Sequence, residues 1–242
     1  MVEDPYQEML DDPGLPFEQR WALISEIDRT NGRFGIYRTF IADWNAWLDT
    51  QSATEQGRLS VFEVGSGSGG LSREIGHWGR QRGLGLDLHL YDAQADVLAA
   101  SLEQFTDNAK PKVHVATDAH LEVFPDKAFD YVISLHVMHH IRPFSMAVSA
   151  MEQMLRIARR GVFIIDFENK PWAVSFARIW NRLSGVSPTL SSDGIKSLKR
   201  AYAPGDVMRA LSESEVARDF RLEMKRYPFV PYWRLRATRG VS

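Results

Sequence analysis

A glycine-rich turn between an apolar run and a helical pattern lies at residues 61–70, which read Val-Phe-Glu-Val-Gly-Ser-Gly-Ser-Gly-Gly. Glycines occupy the alternate positions Gly65, Gly67 and Gly69. Glycine permits positive φ and lets the backbone approach a ligand, and the helix that follows offers free N–H groups in its first turn. The segment therefore predicts a strand, a turn and a helix that together hold a nucleotide-like ligand. The structural alternative is that small residues merely let a strand turn into a helix.

Glu63, two residues before the first glycine, bears on which nucleotide-like ligand is held. Gly65, Gly67 and Gly70 also satisfy the pattern G-x-G-x-x-G, and Asp92 lies at about the distance expected of a ribose-binding acid in a nicotinamide dehydrogenase. A carboxylate at the strand end would repel a pyrophosphate, whereas it would attract the α-ammonium of S-adenosylmethionine, which has no phosphate. The glycines alone leave both ligands open, and Glu63 favours S-adenosylmethionine.

Strand and helix patterns alternate after residue 59, which favours a parallel sheet with helices on both faces. The expected strands are 60–64, 86–91, 112–116, 129–135 and 161–166, and the expected helices are 69–82, 94–107 and 143–158. Two more extended segments, 218–227 and 232–238, are separated by too short a link for a helical crossover, so they should pair antiparallel. The sequence thus predicts an α/β three-layer sandwich whose seven-stranded, mostly parallel sheet ends in an antiparallel hairpin.

Composition excludes several kinds of chemistry. The 242 residues carry a formal net charge of −2 at pH 7, which gives no support to a general nucleic-acid footprint. The sequence has no cysteine, so disulfides, thiolate zinc sites and cysteine nucleophiles are excluded. The first residues lack a basic start and an apolar core, and no later run approaches a membrane-spanning length. We therefore expect one cytoplasmic α/β domain with additions, without nucleic-acid partners or stable membrane insertion.

Four segments, in order, resemble the motifs of class I, Rossmann-like, S-adenosylmethionine-dependent methyltransferases. Residues 61–70 are similar to the first motif, and residues 88–93, Leu-His-Leu-Tyr-Asp-Ala, to the second strand with its ribose-binding acid. Residues 116–119, Ala-Thr-Asp-Ala, resemble the adenine-flanking motif. Residues 129–141 resemble the fourth-strand segment of ubiquinone- and menaquinone-type methyltransferases. The terminal antiparallel hairpin also fits this family, whereas the dehydrogenase fold normally continues with parallel units.

The resemblance implies a methyltransferase domain over residues 58–242, preceded by an N-terminal helical lid over 1–57. Apolar residues at helical spacing begin at Phe17 and again at Tyr37, which predicts two helices before the first strand. The aromatic stripe of the second helix either covers the pocket or packs against the core. Residues 167–202, between the fifth strand and the next helix, form an insertion where this fold usually builds its acceptor site.

The resemblance assigns cofactor contacts to the loops after the strands. Glu63 would line the amino-acid end of S-adenosylmethionine, and Asp92 would accept hydrogen bonds from both ribose hydroxyls. Asp118 would accept from the adenine amino group, with Ala119 donating its backbone N–H to the ring. Asp92 could instead cap the next helix, and Asp118 could be an ordinary loop aspartate. The full predicted cofactor set is Glu63, Gly65, Ser66, Gly67, Asp92, Ala93, Asp118, Ala119, Leu135 and His136.

His139 and His140, at the mouth of the fourth strand, are the predicted catalytic residues. The implied reaction is an in-line attack on the sulfonium methyl, so the protein must mainly hold acceptor and methyl close together and exclude water. An oxygen acceptor would profit from a general base, and histidine has an ordinary pKa suited to neutral pH. The alternative is that the pair caps the next helix or packs. We favour His140 as the base and expect no metal.

The insertion supplies the predicted acceptor contacts. Apolar side chains recur over residues 172–183 at spacings of four, four and three, which predicts an amphipathic lid helix. A charge run from Lys196 to Arg200 would meet a carboxylate or phosphate on the acceptor, unless it is a solvated face. The full predicted acceptor set is Asp166, Glu168, Trp172, Phe176, Trp180 and Arg200, with the two carboxylates also serving as alternative bases.

The sequence thus predicts an S-adenosylmethionine-dependent methyltransferase that modifies a small apolar or aromatic molecule, such as a phenol, quinol or polyketide. Oxygen is the expected acceptor atom, and carbon is the alternative. A nicotinamide-dependent oxidoreductase and a catalytically silent cofactor-binding partner protein are the two other hypotheses. A homodimer and contact with an acyl carrier protein are left open.

Overall fold

Helices cover both faces of a seven-stranded sheet in the computed structural model, which describes residues 6–50, 58–106, 110–115 and 121–240. The helices are α1 (Phe17–Arg33), α2 (Ile36–Leu48), α3 (Gly70–Gln81), α4 (Ala95–Leu102), α5 (Phe144–Ile157), α6 (Ala173–Ser184), α7 (Pro188–Arg200) and α8 (Pro204–Glu213). The strands are β1 (Arg58–Val64), β2 (Gly85–Asp92), β3 (Lys112–Val115), β4 (Phe129–Leu135), β5 (Ala158–Phe167), β6 (Phe220–Arg226) and β7 (Tyr232–Arg239). Short 3₁₀ turns at Met9–Asp11 and Met138–His140 lie beside the candidate site.

The strands lie in the order β3-β2-β1-β4-β5-β7-β6. The first five strands of this order run parallel, and β7 pairs antiparallel with both β5 and β6. The predicted seven-stranded, mostly parallel sheet with a terminal antiparallel hairpin is therefore confirmed. Chain order reverses between β1 and β4, and the crevice at the carboxyl ends of strands beside such a reversal is where open α/β sheets bind ligands.

One predicted helix is shorter than expected. The pattern predicts a helix over 94–107, but α4 ends at Leu102. The hydroxyl of Ser101 donates to the carbonyl of Leu98 at 2.8 Å, and such side-chain bonds compete with helix propagation. The next backbone bond, from the N–H of Phe105 to the carbonyl of Leu102, spans only three residues. The chain therefore turns toward β3 early.

The aromatic stripe of α2 belongs to the core. Phe40 and Trp44 are 0% exposed. Their rings contact Phe163 of β5 and Tyr131 of β4, with centroid distances of 4.8 Å and 6.2 Å respectively. Each buried aromatic side chain removes about 150–250 Å² from water. Packing on the sheet is thus the role of these two rings, which leaves α1 as the N-terminal helix nearer the cavities.

The insertion after β5 folds as two helices, α6 and α7, that pack together. The helix predicted over 172–183 is confirmed as α6. Its outward side chain Ile179 is 63% exposed. No helix within the described ranges is long and apolar enough to cross a membrane.

Candidate active site

The glycine turn after β1 is shaped by positive φ angles. Gly65, Gly67 and Gly69 have φ of 70°, 50° and 72°. A Cβ added at Gly65 would collide with the side chain of Val137, so both backbone conformation and space require glycine there. The Gly65 N–H donates to the carbonyl of Tyr91 at 2.8 Å. This bond joins the turn to the end of β2.

A cavity of about 340 Å³, called here the smaller cavity, opens beside this turn. It lies at the carboxyl ends of β1, β2 and β4, where the reversal of strand order places a ligand site. Asp118 and Ala119 lie outside the described residues. The other predicted cofactor residues all line the smaller cavity: Glu63, Gly65, Ser66, Gly67, Asp92, Ala93, Leu135 and His136.

Glu63 is a buried carboxyl group in the wall of the smaller cavity. It is 3% exposed and accepts a hydrogen bond from the hydroxyl of Ser72. Burial raises its pKa to about 8, against the opposing hydrogen bonds from Ser72. A cationic group placed beside Glu63 would stabilise its ionised form, because opposite charge offsets the cost of burial.

Asp92 both supports the glycine turn and caps the next helix. Its Oδ2 accepts from the Gly67 N–H at 2.9 Å, and its Oδ1 accepts from the Gln94 N–H at 3.1 Å. Burial raises the pKa of Asp92 despite these bonds. The predicted alternative of a helix cap is thus present, and it leaves room for the ribose role because an ionised carboxylate offers about four lone-pair positions.

Asp28 of α1 is a cavity residue that the sequence analysis missed. Its carboxylate accepts a hydrogen bond from the hydroxyl of Tyr37 at 2.7 Å and forms an ion pair with Arg73. A Cβ added at Gly70 would collide with Asp28, so α1 lies directly on the first turn of α3. The usable sequence signal was an acidic residue within the otherwise apolar stripe of α1.

A second cavity of about 430 Å³, called here the larger cavity, adjoins the smaller one. Both cavities share Leu10, Ile27, Asn31, His136 and His140 in their walls, so they meet at these residues. Apolar and aromatic side chains make up most of the wall of the larger cavity, among them Leu23, Phe34, Ile36, Ile165, Phe167, Phe176, Leu190 and Tyr232.

Only part of the predicted acceptor set reaches this cavity. Phe176 lines it. Trp172, which directly precedes α6, is 38% exposed and belongs to the wall of neither cavity. The side chain of Trp180 lies outside the described part of the structure.

Glu168 and Arg200 are buried, form ion pairs and are absent from the cavity walls. Glu168 pairs with Arg226 of β6 and lies 3.4 Å from the ammonium of Lys170. Arg200 pairs with Asp11. Buried charges need such partners, and the partners come from distant parts of the chain. Neither residue is placed to contact an acceptor as the sequence predicted.

His139 is held in place by Asp166. The Nδ1 atom of His139 donates to Asp166 at 2.7 Å, and its backbone N–H donates to the same carboxylate at 3.0 Å. Burial acts to raise the pKa of Asp166, but the charge and hydrogen bond of His139 hold it below its usual value. The Nε2 atom of His139 has no hydrogen-bond partner among the described residues. Asp166 thus orients His139 rather than facing the cavity itself.

His140 is engaged by the N-terminal segment. Its Nδ1 lies 2.9 Å from a carboxylate oxygen of Asp11, which also pairs with Arg200. Burial alone would lower the pKa of His140, but the hydrogen bond to Asp11 and the nearby Glu8 raise it. For Asp11, burial acts to raise the pKa, while His140 and Arg200 hold it below its usual value. His140 is therefore partnered at one ring nitrogen.

Glu8 and Asp11 flank the 3₁₀ turn at Met9–Asp11, and neither was predicted as a site residue. Glu8 is 6% exposed and lines the larger cavity, whereas Asp11 lines the smaller one. Burial raises the pKa of Glu8, with the two histidines acting in the opposite direction. No sequence motif links this segment to the histidines, because the contacts form only in the folded chain.

Sequence comparison supports what the geometry indicates. The profile of a family described as a methyltransferase domain matches residues 62–165. A protein of Staphylococcus carnosus (strain TM300), described as an uncharacterized methyltransferase, is 24% identical over 167 residues. That match covers 67% of this chain and 73% of the relative. The profile spans β1 to β5, and therefore the glycine turn and the histidine pair.

Solved structures show the same fold. The plantazolicin methyltransferase BpumL, in complex with a monoazolic desmethylPZN analog and SAH, has a TM-score of 0.63 at 13% identity, covering 93% of this chain and 96% of that one. The magnesium protoporphyrin IX methyltransferase from Synechocystis PCC 6803 with bound SAM has a TM-score of 0.58 at 18% identity, covering 92% and 91%.

The mixed α/β sheet, with its ligand cavity beside a glycine turn at the strand ends, defines the class I, Rossmann-like architecture. Within this architecture, the family match over residues 62–165 indicates methyl transfer as the activity. The protein is a methyltransferase, and the two methyltransferases of the same fold named above hold SAH or SAM.

Proposed function

We propose that this enzyme methylates a small apolar or aromatic molecule, of the phenol, quinol or polyketide kind, on an oxygen atom. The observation that carries the proposal is the larger cavity, whose mostly apolar and aromatic wall meets the smaller cavity at His136 and His140. Such a wall favours an acceptor that is bound by burial of apolar surface. The resemblance of residues 129–141 to ubiquinone- and menaquinone-type methyltransferases supports the same acceptor class.

The smaller cavity suits S-adenosylmethionine. The buried carboxyl of Glu63 matches the α-ammonium of the cofactor, and Asp92 matches its ribose diol. When bound, the cofactor supplies an electrophilic sulfonium methyl group. The role of the protein is then to place an acceptor oxygen beside that methyl group and to keep water away.

The N-terminal segment and the insertion would enclose the reactants. The side chains of Ile27 and Asn31 on α1 line both cavities, and α6 and α7 line the larger one. We assign residues 1–57 as the N-terminal lid, residues 58–242 as the methyltransferase domain, and residues 167–202 as its acceptor-site insertion. Closure by these elements would exclude water from the reacting groups.

His139 and His140 are the proposed catalytic residues, with the acceptor hydroxyl lying against them. His139 is the better placed of the two, because its Nε2 makes no hydrogen bond among the described residues while Asp166 fixes the ring at Nδ1. His140 is partnered by Asp11. We therefore propose His139 as the general base, in place of His140, which the sequence analysis favoured.

Two experiments test this function: cofactor binding is measured first, and turnover of acceptors is measured second. Calorimetric titration with S-adenosylmethionine, S-adenosylhomocysteine and NADH should show binding of the first two only. A panel of phenols, quinols and polyketides is then incubated with the cofactor, and mass spectrometry should detect the gain of one methyl group. Methylation confined to nitrogen or carbon acceptors would contradict the proposal, and so would binding without turnover across acceptors of all classes.

The histidine assignment needs a matched variant. His139→Ala should lower turnover by about 10²-fold or more with cofactor affinity unchanged, because it removes a group acting on the acceptor. His77→Ala, which removes an exposed histidine on α3, serves as the control. Full activity of His139→Ala would show that the histidine only packs.

A further inference from the structure

Glu8, His139 and His140 form a cluster, called here the Glu-His-His cluster, where the two cavities meet. One ligand-type atom from each residue can be chosen so that all lie within 4.8 Å of one another. Glu8 Oε1 lies 3.6 Å from His139 Nε2, and Glu8 Oε2 lies 3.8 Å from His140 Nε2. Both separations are longer than a hydrogen bond, which would bring these atoms to roughly 2.7–3.2 Å.

Both imidazole rings are fixed from behind by a carboxylate. Asp166 lies 2.7 Å from Nδ1 of His139, and Asp11 lies 2.9 Å from Nδ1 of His140. An ionised carboxylate only accepts hydrogen bonds, so each Nδ1 carries a proton, and in its neutral form each ring presents an Nε2 lone pair to Glu8. Histidines that bind metals almost always have this second carboxylate or carbonyl partner.

Two buried atoms of the cluster lack a hydrogen-bond partner within the described ranges: Glu8 Oε1 and His139 Nε2. Their residues are 6% and 1% exposed. A buried polar atom without a partner costs about 1–3 kcal/mol. Because both atoms are acceptors and face one another, a shared cation satisfies both.

Charge indicates what kind of cation suits the network. With neutral rings, Glu8, Asp11 and Asp166 contribute three negative charges. Arg200, which pairs with Asp11 and lies 3.8 Å from Glu8 Oε1, contributes one positive charge. A divalent cation would neutralise the difference, and burial makes such neutralisation favourable.

We propose that the Glu-His-His cluster binds a divalent transition-metal cation of the Zn²⁺ kind through Glu8, His139 Nε2 and His140 Nε2. Two ligand atoms placed about 2.1 Å from a tetrahedral ion lie about 3.4 Å apart, close to the separations of 3.6 Å and 3.8 Å in this structure. Imidazole ligands suit Zn²⁺ and its neighbours rather than Mg²⁺ or Ca²⁺. Two histidines and one glutamate also form the ligand set of zinc sites that keep a position open for substrate.

The open position would face the larger cavity, which all three ligand residues line. An acceptor hydroxyl approaching from that cavity would meet the cation, which would lower the pKa of the hydroxyl. A histidine bound to the cation through Nε2 cannot also accept the hydroxyl proton there, so the cation would take over the activating role that the proposed function gives to His139. This use of the cation rests on the proposed function, whereas the binding of the cation does not. A metal was not expected at the stage of sequence analysis, because Glu8 joins the histidines only through the fold.

The test is metal binding by the full chain after treatment with a chelator. Zn²⁺ is titrated against a chromophoric competitor, and Co²⁺ is titrated with visible absorption as a report of coordination. We expect one equivalent of each, with affinity at least a hundredfold lower in His139→Ala and Glu8→Gln. Asp166→Asn should lower affinity by about tenfold to a hundredfold, because it removes the carboxylate behind a ligand. His77→Ala should leave affinity unchanged.

Folding and cofactor binding are checked in each variant by circular dichroism and by titration with S-adenosylmethionine. Absence of stoichiometric metal binding by the folded wild-type chain would overturn the proposal. A proton, and not a metal ion, would then be the cation that the Glu-His-His cluster holds. Unchanged affinity in His139→Ala and Glu8→Gln, or equal loss in His77→Ala, would also overturn it. Normal binding of S-adenosylmethionine in the same preparations would show that the methyltransferase assignment survives such a result.

Discussion

The smaller and larger cavities are built from different kinds of parts. The smaller cavity is formed mainly by backbone turns at the ends of three neighbouring strands, where a glycine turn and Asp92 lie within one short stretch of chain. The larger cavity is formed by side chains of α1, α2, α6, α7 and the β6–β7 link, which are far apart in sequence. Backbone geometry therefore constrains the smaller cavity, whereas side chains define the larger cavity and can vary without altering the sheet.

Replacing a glycine should separate the two cavities most strongly. Gly65→Ala should lower the free energy of unfolding by about 2–4 kcal/mol, since it adds left-handed strain and a collision with Val137. Cofactor binding should be lost with it. Gly194→Ala in α7, in the wall of the larger cavity, is the control because an added Cβ meets nothing within 4 Å. Denaturant unfolding and calorimetry give the two readouts, and equal destabilisation by both changes would remove the contrast.

The second-largest effect is expected from removing the carboxylate of Asp92. Asp92→Ala should weaken cofactor binding by about 1–3 kcal/mol, or roughly 5- to 150-fold, because buried hydrogen bonds are lost. The exposed Glu103→Ala in the same part of the chain is the control. Calorimetric titration measures the affinity, and thermal unfolding shows how much of the loss comes from the turn itself. An unchanged affinity in Asp92→Ala would refute the assignment of the smaller cavity to the cofactor.

The pKa of about 8 at Glu63 predicts a proton linkage confined to the smaller cavity. Below that pH the free carboxyl is mostly protonated, and a bound α-ammonium favours its ionised form, so cofactor binding should release one proton. Affinity should therefore rise by up to about tenfold from pH 6.5 to 7.5, below the usual α-amino pKa of about 7.7–8.0. Calorimetry in two buffers of different ionisation enthalpy measures the release.

Glu63→Gln is the matched variant for this linkage, and it should bind without proton release. Proton release that persists in Glu63→Gln would assign the linkage to another group. Acceptor KM should not follow the same pH dependence, since Glu63 belongs to the wall of the smaller cavity alone.

A side chain of the larger cavity should give the smallest effect. Phe176→Ala should raise the KM for the acceptor by about three- to tenfold through lost apolar contact, with cofactor affinity unchanged. Ile179→Ala on the same helix is the control, because Ile179 is 63% exposed and lies outside the cavity wall. Steady-state kinetics and calorimetry distinguish the two constants. A change in cofactor affinity with Phe176→Ala would show that the cavities are not separable in this way.

The sequence was sufficient for the sheet and for the turns that border the smaller cavity, because both depend on local patterns. Alternating apolar runs predicted every strand to within a few residues, and the short link at 228–231 predicted the hairpin. Positions such as Gly65 and Asp92 follow from turn chemistry within one strand–helix unit. The assignment of Glu63 depended on its charge at the strand end, and that of His136 on resemblance; both roles remain predictions.

The contacts around the larger cavity were harder to predict because they join residues that are far apart in sequence and are formed by common residue types. The sequence analysis predicted that Glu168 and Arg200 contact the acceptor, but each forms an ion pair within the protein. Glu8 was not among the predicted site residues, although it is buried against the histidine pair. Pairing between distant residues is not visible in the spacing of either partner.

The contacts of the Met9–Asp11 turn also bear on the order of folding. Asp11 bonds to His140 and Arg200, which are 129 and 189 positions further along the chain, and the Met9 N–H bonds to Asp193 across 184 positions. Contacts of such separation form late, because long loops must close first. During synthesis the first-made segment has to wait for nearly the last helices before it can dock. In the glycine turn, by contrast, Gly67 bonds to Asp92 only 25 positions away. A nascent chain can therefore form this wall of the smaller cavity well before the boundary between the two cavities exists.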